Sequence, residues 1–139
     1  MIEIYNEETI QHKFFTSKMF NQNIDRHIHF FWEITYSIDG DPTHCINDKP
    51  IKTHACSEII LIKPGVTHKI EVDTLPSEPL GLHRDIYVTA KKMKQCCDFL
   101  SPTLYQELLA QDVIILDGKK EHLETLEYSL NIFENYDTF

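Results

Sequence analysis

His27, His29 and Glu33, followed by Gly40, form the pattern H-x-H-x3-E-x6-G, and Pro64-Gly65-Val66-Thr67-His68 places a further histidine just past a turn. On an extended strand side chains alternate faces, so His27, His29 and Glu33 project to one side, and a second strand carrying His68 closes the group. Neutral imidazoles and an ionised carboxylate offer lone pairs without a proton penalty near neutral pH, which suits a divalent transition metal. Four such ligands leave coordination positions open for a substrate, as a dioxygenase, isomerase or epimerase needs. Tyr36 and Lys63 are then the proton donors nearest in sequence. A pocket without metal is a second reading, in which His27, His29 and Glu33 hydrogen-bond a small polar ligand while Phe31 packs its apolar part. In a third, the same face points to solvent and binds nothing.

These side chains need strands to hold them. From Ile28 to Ile38 apolar and polar residues alternate, with Trp32 on the apolar side as a core anchor and Phe31 interrupting the polar one. Gly40-Asp41-Pro42 ends this strand, and Asn47-Asp48-Lys49-Pro50 marks a hairpin turn. Further strands are expected over Glu58–Ile62, around Lys69–Val72 and over Leu82–Val88, with a loop from Pro76 to Pro79. Short strands separated by turns at intervals of roughly ten residues indicate a sandwich or barrel.

After Val88 the residues favour helix. Lys91–Leu100 is stopped by Ser101-Pro102, and Pro102 opens a second helix capped by Ser101, with Leu104, Tyr105, Leu108 and Leu109 at helical spacing. Asp112–Leu116 reads as a strand or a linker buried on the sheet. From Lys119 to Tyr136, Leu123, Leu126, Leu130 and Phe133 recur at steps of three, four and three, the narrow apolar seam of an amphipathic helix. That seam docks on the chain's own sheet or meets a second copy. Residues 1–23 show neither period and read as an arm.

The length of 139 residues is that of one domain, able to build a core without disulfides or metal. A formal charge of −9 repels a phosphate backbone, and no basic recognition helix is present, so the chain itself is not expected to bind nucleic acid. Cys45, Cys56, Cys96 and Cys97 lack paired C-x-x-C spacing and read as free thiols. No stretch reaches the roughly 20 apolar residues of a membrane helix, and the first residues lack the order of a signal peptide, which gives a cytoplasmic expectation. His12, His44, His54, His83 and His122 read as polar loop or helix positions. Arg84 and Asp85, adjacent on a strand, face opposite sides.

The motif His27-x-His29-x3-Glu33-x6-Gly40 is similar to the first motif of cupins, and Pro64-Gly65-Val66-Thr67-His68 resembles a contracted form of the second. Over nearly its whole length the chain resembles the amino-terminal sensing and dimerisation domain of AraC-type transcription regulators. The residues that carry this are the two motifs, the run His83-Arg84-Asp85-Ile86-Tyr87-Val88, and the helix with its Cys97-Asp98 pair. The resemblance implies a mainly β fold: a cupin-like, jelly-roll barrel followed by two or three helices. It divides the chain into an arm (1–23), a barrel (24–88) and a helical segment with a dimerisation helix (89–139).

It implies a non-enzymatic sensor with no catalytic residues. A small-molecule effector would lie on His27, His29, Phe31, Glu33 and His68, and a homodimer would form through Leu123, Leu126, Leu130 and Phe133. DNA would be bound only by a helix-turn-helix domain beyond residue 139; the abrupt end at Asp137-Thr138-Phe139 reads as that of a fragment. No cofactor is expected. A divalent transition metal on His27, His29, Glu33 and His68, in a cupin enzyme, is the alternative.

Overall fold

The computed structural model describes residues 2–10, 15–72 and 82–136. Two five-stranded sheets face each other. The first contains β1 (Glu3–Tyr5), β3 (Ile24–His29), β8 (Thr67–Glu71), β5 (Thr43–Ile46) and β6 (Lys49–Lys52), in that spatial order. The second runs β10 (Val113–Asp117), β7 (Glu58–Ile62), β4 (Trp32–Asp39), β9 (Leu82–Val88) and β2 (Phe15–Phe20). Helices α1 (Ala90–Leu100), α2 (Leu104–Leu109) and α3 (Lys120–Tyr136) complete the chain. This is the mainly β fold with carboxy-terminal helices that the sequence implies.

The segment 1–23 is more than an arm. Strand β1 pairs with β3, β2 pairs with β9 along its whole length, and Ile10 between them is buried. Neither strand shows a clean alternation, because both lie at sheet edges where half the contacts that enforce a period are missing. The segment 89–139 likewise contributes β10, which pairs with β7 from Val113 to Asp117. The barrel therefore draws strands from beyond both ends of 24–88.

Local signals elsewhere act as their chemistry dictates. Asn47 and Asp48 both take positive φ, 49° and 64°, as a two-residue hairpin turn requires. Thr89 caps α1, its hydroxyl accepting from the Lys92 amide. The second helix starts at Leu104 with Thr103 before it, two residues later than proline-led capping suggests, and the Ser101 amide instead closes α1 on the Cys97 carbonyl. The expected loop from Pro76 to Pro79 lies outside the described residues.

The polarity of β4 decides the architecture. Trp32, Ile34, Tyr36 and Ile38 face outward, and the helices cover them: Trp32 packs with Cys97 and Tyr105, and Tyr36 with Ile86, Leu123 and Leu130. Glu33, Thr35 and Ser37 face into the barrel and are at most 1% exposed, which removes the solvated-face reading. Ile46, Ile60, Ile62 and Val66 form a separate apolar cluster.

The seam of α3 is corrected by this packing. Leu123 and Leu130 are buried and Leu126 packs beside them, all on the chain's own sheet, so they are not a free surface for a second copy. Phe133 lies in α3, with its side chain outside the described residues. Gly118 permits the close approach: a Cβ there would stand 2.8 Å from the Leu123 side chain and 3.0 Å from the Ser57 carbonyl oxygen. Leu123→Ala is expected to cost about 2–5 kcal/mol, read from the urea midpoint, as for other large-to-small core changes.

Candidate functional site

Strand β3 delivers His27 and His29, β4 delivers Glu33, and β8 delivers His68 opposite His27. The Pro64-Gly65 turn ahead of β8 is tied to the site: Gly65, at φ 84°, donates its amide to the His29 carbonyl at 2.9 Å. The contracted motif still directs His68 inward. All four residues are buried, and their ligand atoms lie within 4.8 Å of one another. Phe31 joins them, stacked on His29 with ring centroids 4.6 Å apart and planes 6° from parallel. The structure thus brings together the five residues singled out in the sequence. Tyr36 and Lys63 are elsewhere: Tyr36 bonds Glu127 on the outer face, and Lys63 reaches the Leu109 carbonyl and Asp112.

Hydrogen bonding fixes the ring orientations. His27 Nδ1 is 2.8 Å from the Asp25 carbonyl oxygen, and His29 Nδ1 is 2.8 Å from that of Phe31. A carbonyl only accepts, so each Nδ1 carries a proton, and each neutral ring is left with a lone pair on Nε2. His29 Nε2 stands 2.8 Å from Glu33 Oε2 and 2.9 Å from His68 Nε2, and His68 Nε2 is 2.9 Å from the same carboxylate oxygen. Three atoms that prefer to accept form a small triangle. One proton on His68 Nε2 serves one edge; the remaining repulsion calls for a further proton or a cation.

A first-row divalent ion at roughly 2.0–2.2 Å from each atom fits over a triangle of that size. Backbone carbonyls on the far nitrogens of two rings are the outer support that metal-binding histidines use. The donor set therefore fits a transition metal.

The electrostatics favour the proton at His68. Burial raises the Glu33 carboxyl, yet the charge of His68, its hydrogen bond and the adjoining His29 ring outweigh it and hold Glu33 well below the usual carboxylate range. Burial lowers His68, but Glu33 reverses that and raises it. His27 is lowered, first by burial and then by His68.

Sequence reasoning missed a second group inside the barrel. His44 and His83 are each 1% exposed, and among the described residues none of their ring nitrogens has a hydrogen-bond partner. His83 Nε2 lies 3.5 Å from Asp85 Oδ2, long for a hydrogen bond, while the Thr35 hydroxyl donates to Asp85 Oδ1 at 2.7 Å. Burial, and then the charge of Glu33, raise the Asp85 carboxyl. The signal was available in His83-x-Asp85-x-Tyr87, a period-two row on a strand, and in His44 two residues from inward-facing Ile46.

A cavity of about 330 Å³ reaches this interior between the two sheets. His27, His29, Phe31 and Tyr87 form part of its wall, together with Phe20 and Lys18 of β2. Its lining is mixed: aromatic faces, imidazoles, the Lys18 ammonium group and the carboxylates of Glu3 and Asp25.

No protein family and no curated protein sequence matches the chain. Solved structures do. ToxT from Vibrio cholerae O395 bound to (E)-4-(8-methylnaphthalen-1-yl)but-3-enoic acid aligns with 87% of this chain at 12% identity and a TM-score of 0.61. Wild-type ToxT from strain SCE256 with bound unsaturated fatty acid aligns with 84% at 12% identity and a TM-score of 0.60. The chain covers 49% and 46% of those two ToxT chains, about half their length. The fold of this chain is accordingly that of the amino-terminal ligand-binding domain of ToxT, an AraC-family regulator, a cupin-like β fold.

Proposed function

We propose that this chain is the effector-sensing domain of an AraC-type transcription regulator, cytoplasmic and not itself an enzyme. A small molecule enters between the sheets and lies against His27, His29, Phe31 and Tyr87. The observation that carries this reading is the cavity of about 330 Å³ ending on buried imidazoles and aromatic rings, in a fold that ToxT also has, and two of the ToxT structures hold a carboxylic acid. Aromatic walls with a few placed polar groups are the usual composition of such a site. Lys18 on the same cavity suits an acidic head group placed away from the carboxylates of Glu3 and Asp25. The ligand state passes to a DNA-binding domain outside this sequence in a homodimer. With Leu123 and Leu130 buried and Leu126 packed beside them on the chain's own sheet, such a dimer uses another surface; on α3, Tyr128 and Ile132 are exposed.

The test is thermal unfolding with a chain-length series of cis-unsaturated fatty acids. A ligand at a hundred times its Kd stabilises by about 2.7 kcal/mol, so a saturable rise in melting temperature is expected. An unchanged melting temperature across the series, together with a monomer at all concentrations, overturns the reading.

The triangle of His29, Glu33 and His68 favours a second reading, a divalent transition metal in the barrel and with it a metal-dependent cupin enzyme. Addition of Co²⁺ is expected to give tetrahedral or five-coordinate d–d bands. His29→Ala should weaken binding beyond the roughly 10–100-fold that loss of an outer hydrogen-bond partner costs. Stoichiometric iron, manganese or zinc in protein purified without added metal would move the chain to the enzyme class.

A further inference from the structure

We infer that two adjacent ladder pairs on β4 and β9 connect the interior of the barrel to helix α3, so that a change inside is felt by the helix. Thr35 stands opposite Asp85, and the next pair is Tyr36 opposite Arg84. Strand alternation sends the first pair inward and the second outward. Both pairs are bonded on their own side of the sheet, and all four residues are at most 2% exposed.

Inside, the Thr35 hydroxyl donates to Asp85 Oδ1 at 2.7 Å, and the Tyr87 hydroxyl stands 3.5 Å from Asp85 Oδ2. Tyr87 also lines the cavity, which puts Asp85 one side chain away from whatever fills it. Outside, the Tyr36 hydroxyl donates to Glu127 Oε2 of α3 at 2.7 Å. Arg84 Nε donates to the same oxygen at 3.1 Å, and Nη2 bonds both Glu127 Oε1 and Asn131 Oδ1. Arg84 Nη1 adds Ser17 of β2. One peptide bond separates the inner anchor, Asp85, from the outer clamp, Arg84.

Direction is what distinguishes this link from the apolar contacts around it. Leu123 and Leu130 hold α3 by burial, which has no preferred register. A guanidinium fork on a carboxylate has fixed geometry, so a shift of the Arg84 backbone must move Glu127 or break the pair. Close-packed interiors respond to such a shift by choosing between discrete arrangements. The role of the link rests on the effector-sensing reading, but its existence is tested without any effector, so the two fail separately.

Thr35 and Glu127 stand on opposite faces of the sheet. Urea unfolding of Thr35→Val, Glu127→Gln and the double variant should show unfolding constants that depart from the product of the single effects by about fivefold or more, since uncoupled sites simply multiply. Hydrogen exchange supplies a second readout: Thr35→Val should speed exchange of α3 amides about tenfold relative to those of β5, and the change should vanish in the Glu127→Gln background. Ile46→Val, buried inside the barrel on β5 of the opposite sheet and paired with neither β4 nor β9, should combine multiplicatively with Glu127→Gln. If Thr35→Val does not fold, Asp85→Asn replaces it inside, with Tyr36→Phe outside. Effects that multiply within about twofold, with α3 exchange unchanged by the inner variant, overturn the link.

Discussion

Arg84→Ala should destabilise the chain by about 3 kcal/mol, measured as a lower urea midpoint with unchanged slope. Arg84 is 0% exposed and joins Glu127 and Asn131 of α3 to Ser17 of β2. Its removal leaves the Glu127 carboxylate beside a buried sheet without the charge that compensates it. Breaking a fully buried pair costs roughly 3–5 kcal/mol, and the 18% exposure of the Glu127 side chain sets the expectation at the lower end. The control is a double replacement, Arg84→Met with Glu127→Leu. Apolar groups of similar volume often substitute for a buried ion pair without loss, so stability should largely return. A double variant as unstable as Arg84→Ala would show that packing, and not the lone carboxylate, sets the cost.

The second large effect is acid sensitivity, centred on His44. Burial holds its ring at a pKa of about 4, against 6.5 for a free imidazole, with His83, His68 and Glu33 acting on it through space. Between those values the unfolded chain binds a proton that the folded chain refuses, so stability rises with pH across that window. The difference of 2.5 units (6.5 minus 4) corresponds to about 3 kcal/mol, lost progressively as pH falls from 6.5 to 4. His27, also lowered, acts in the same direction. His68 is raised, so its contribution is complete below 6.5 and disappears as pH climbs through its folded value. The lowered Glu33 contributes above about 4.5 and loses that contribution only in stronger acid. His44→Leu should therefore flatten the stability profile between pH 4 and 6.5. A profile as steep as that of the unaltered chain would assign the acid response to another group.

Much of the site was legible because strand alternation is a strict rule. The period-two row from His27 to Ile38 placed His27, His29 and Glu33 on one face, and the turn at Gly65 brought His68 to them. Which way that face pointed was not legible, since a polar row reads the same whether water or a second sheet lies over it. The same ambiguity hid His44 and His83, whose burial depends on strands paired across the barrel. The seam of Leu123, Leu126 and Leu130 marked α3 as amphipathic, but only tertiary contact with Tyr36 and Ile86 shows what it covers. Strands β1 and β2 escaped notice because edge strands carry little pattern of their own.

Because β4 turns its apolar side toward the helices and its polar side inward, the helical segment is the lid of the principal hydrophobic layer. Cutting the chain after residue 118 would therefore not release a smaller soluble barrel. It would uncover Ile34, Tyr36, Ile38, Ile86 and Val88 together, a continuous greasy strip of the kind that drives self-association. A truncated protein should accumulate in inclusion bodies, and limited proteolysis that reaches α3 should end in precipitation and not in a stable core fragment.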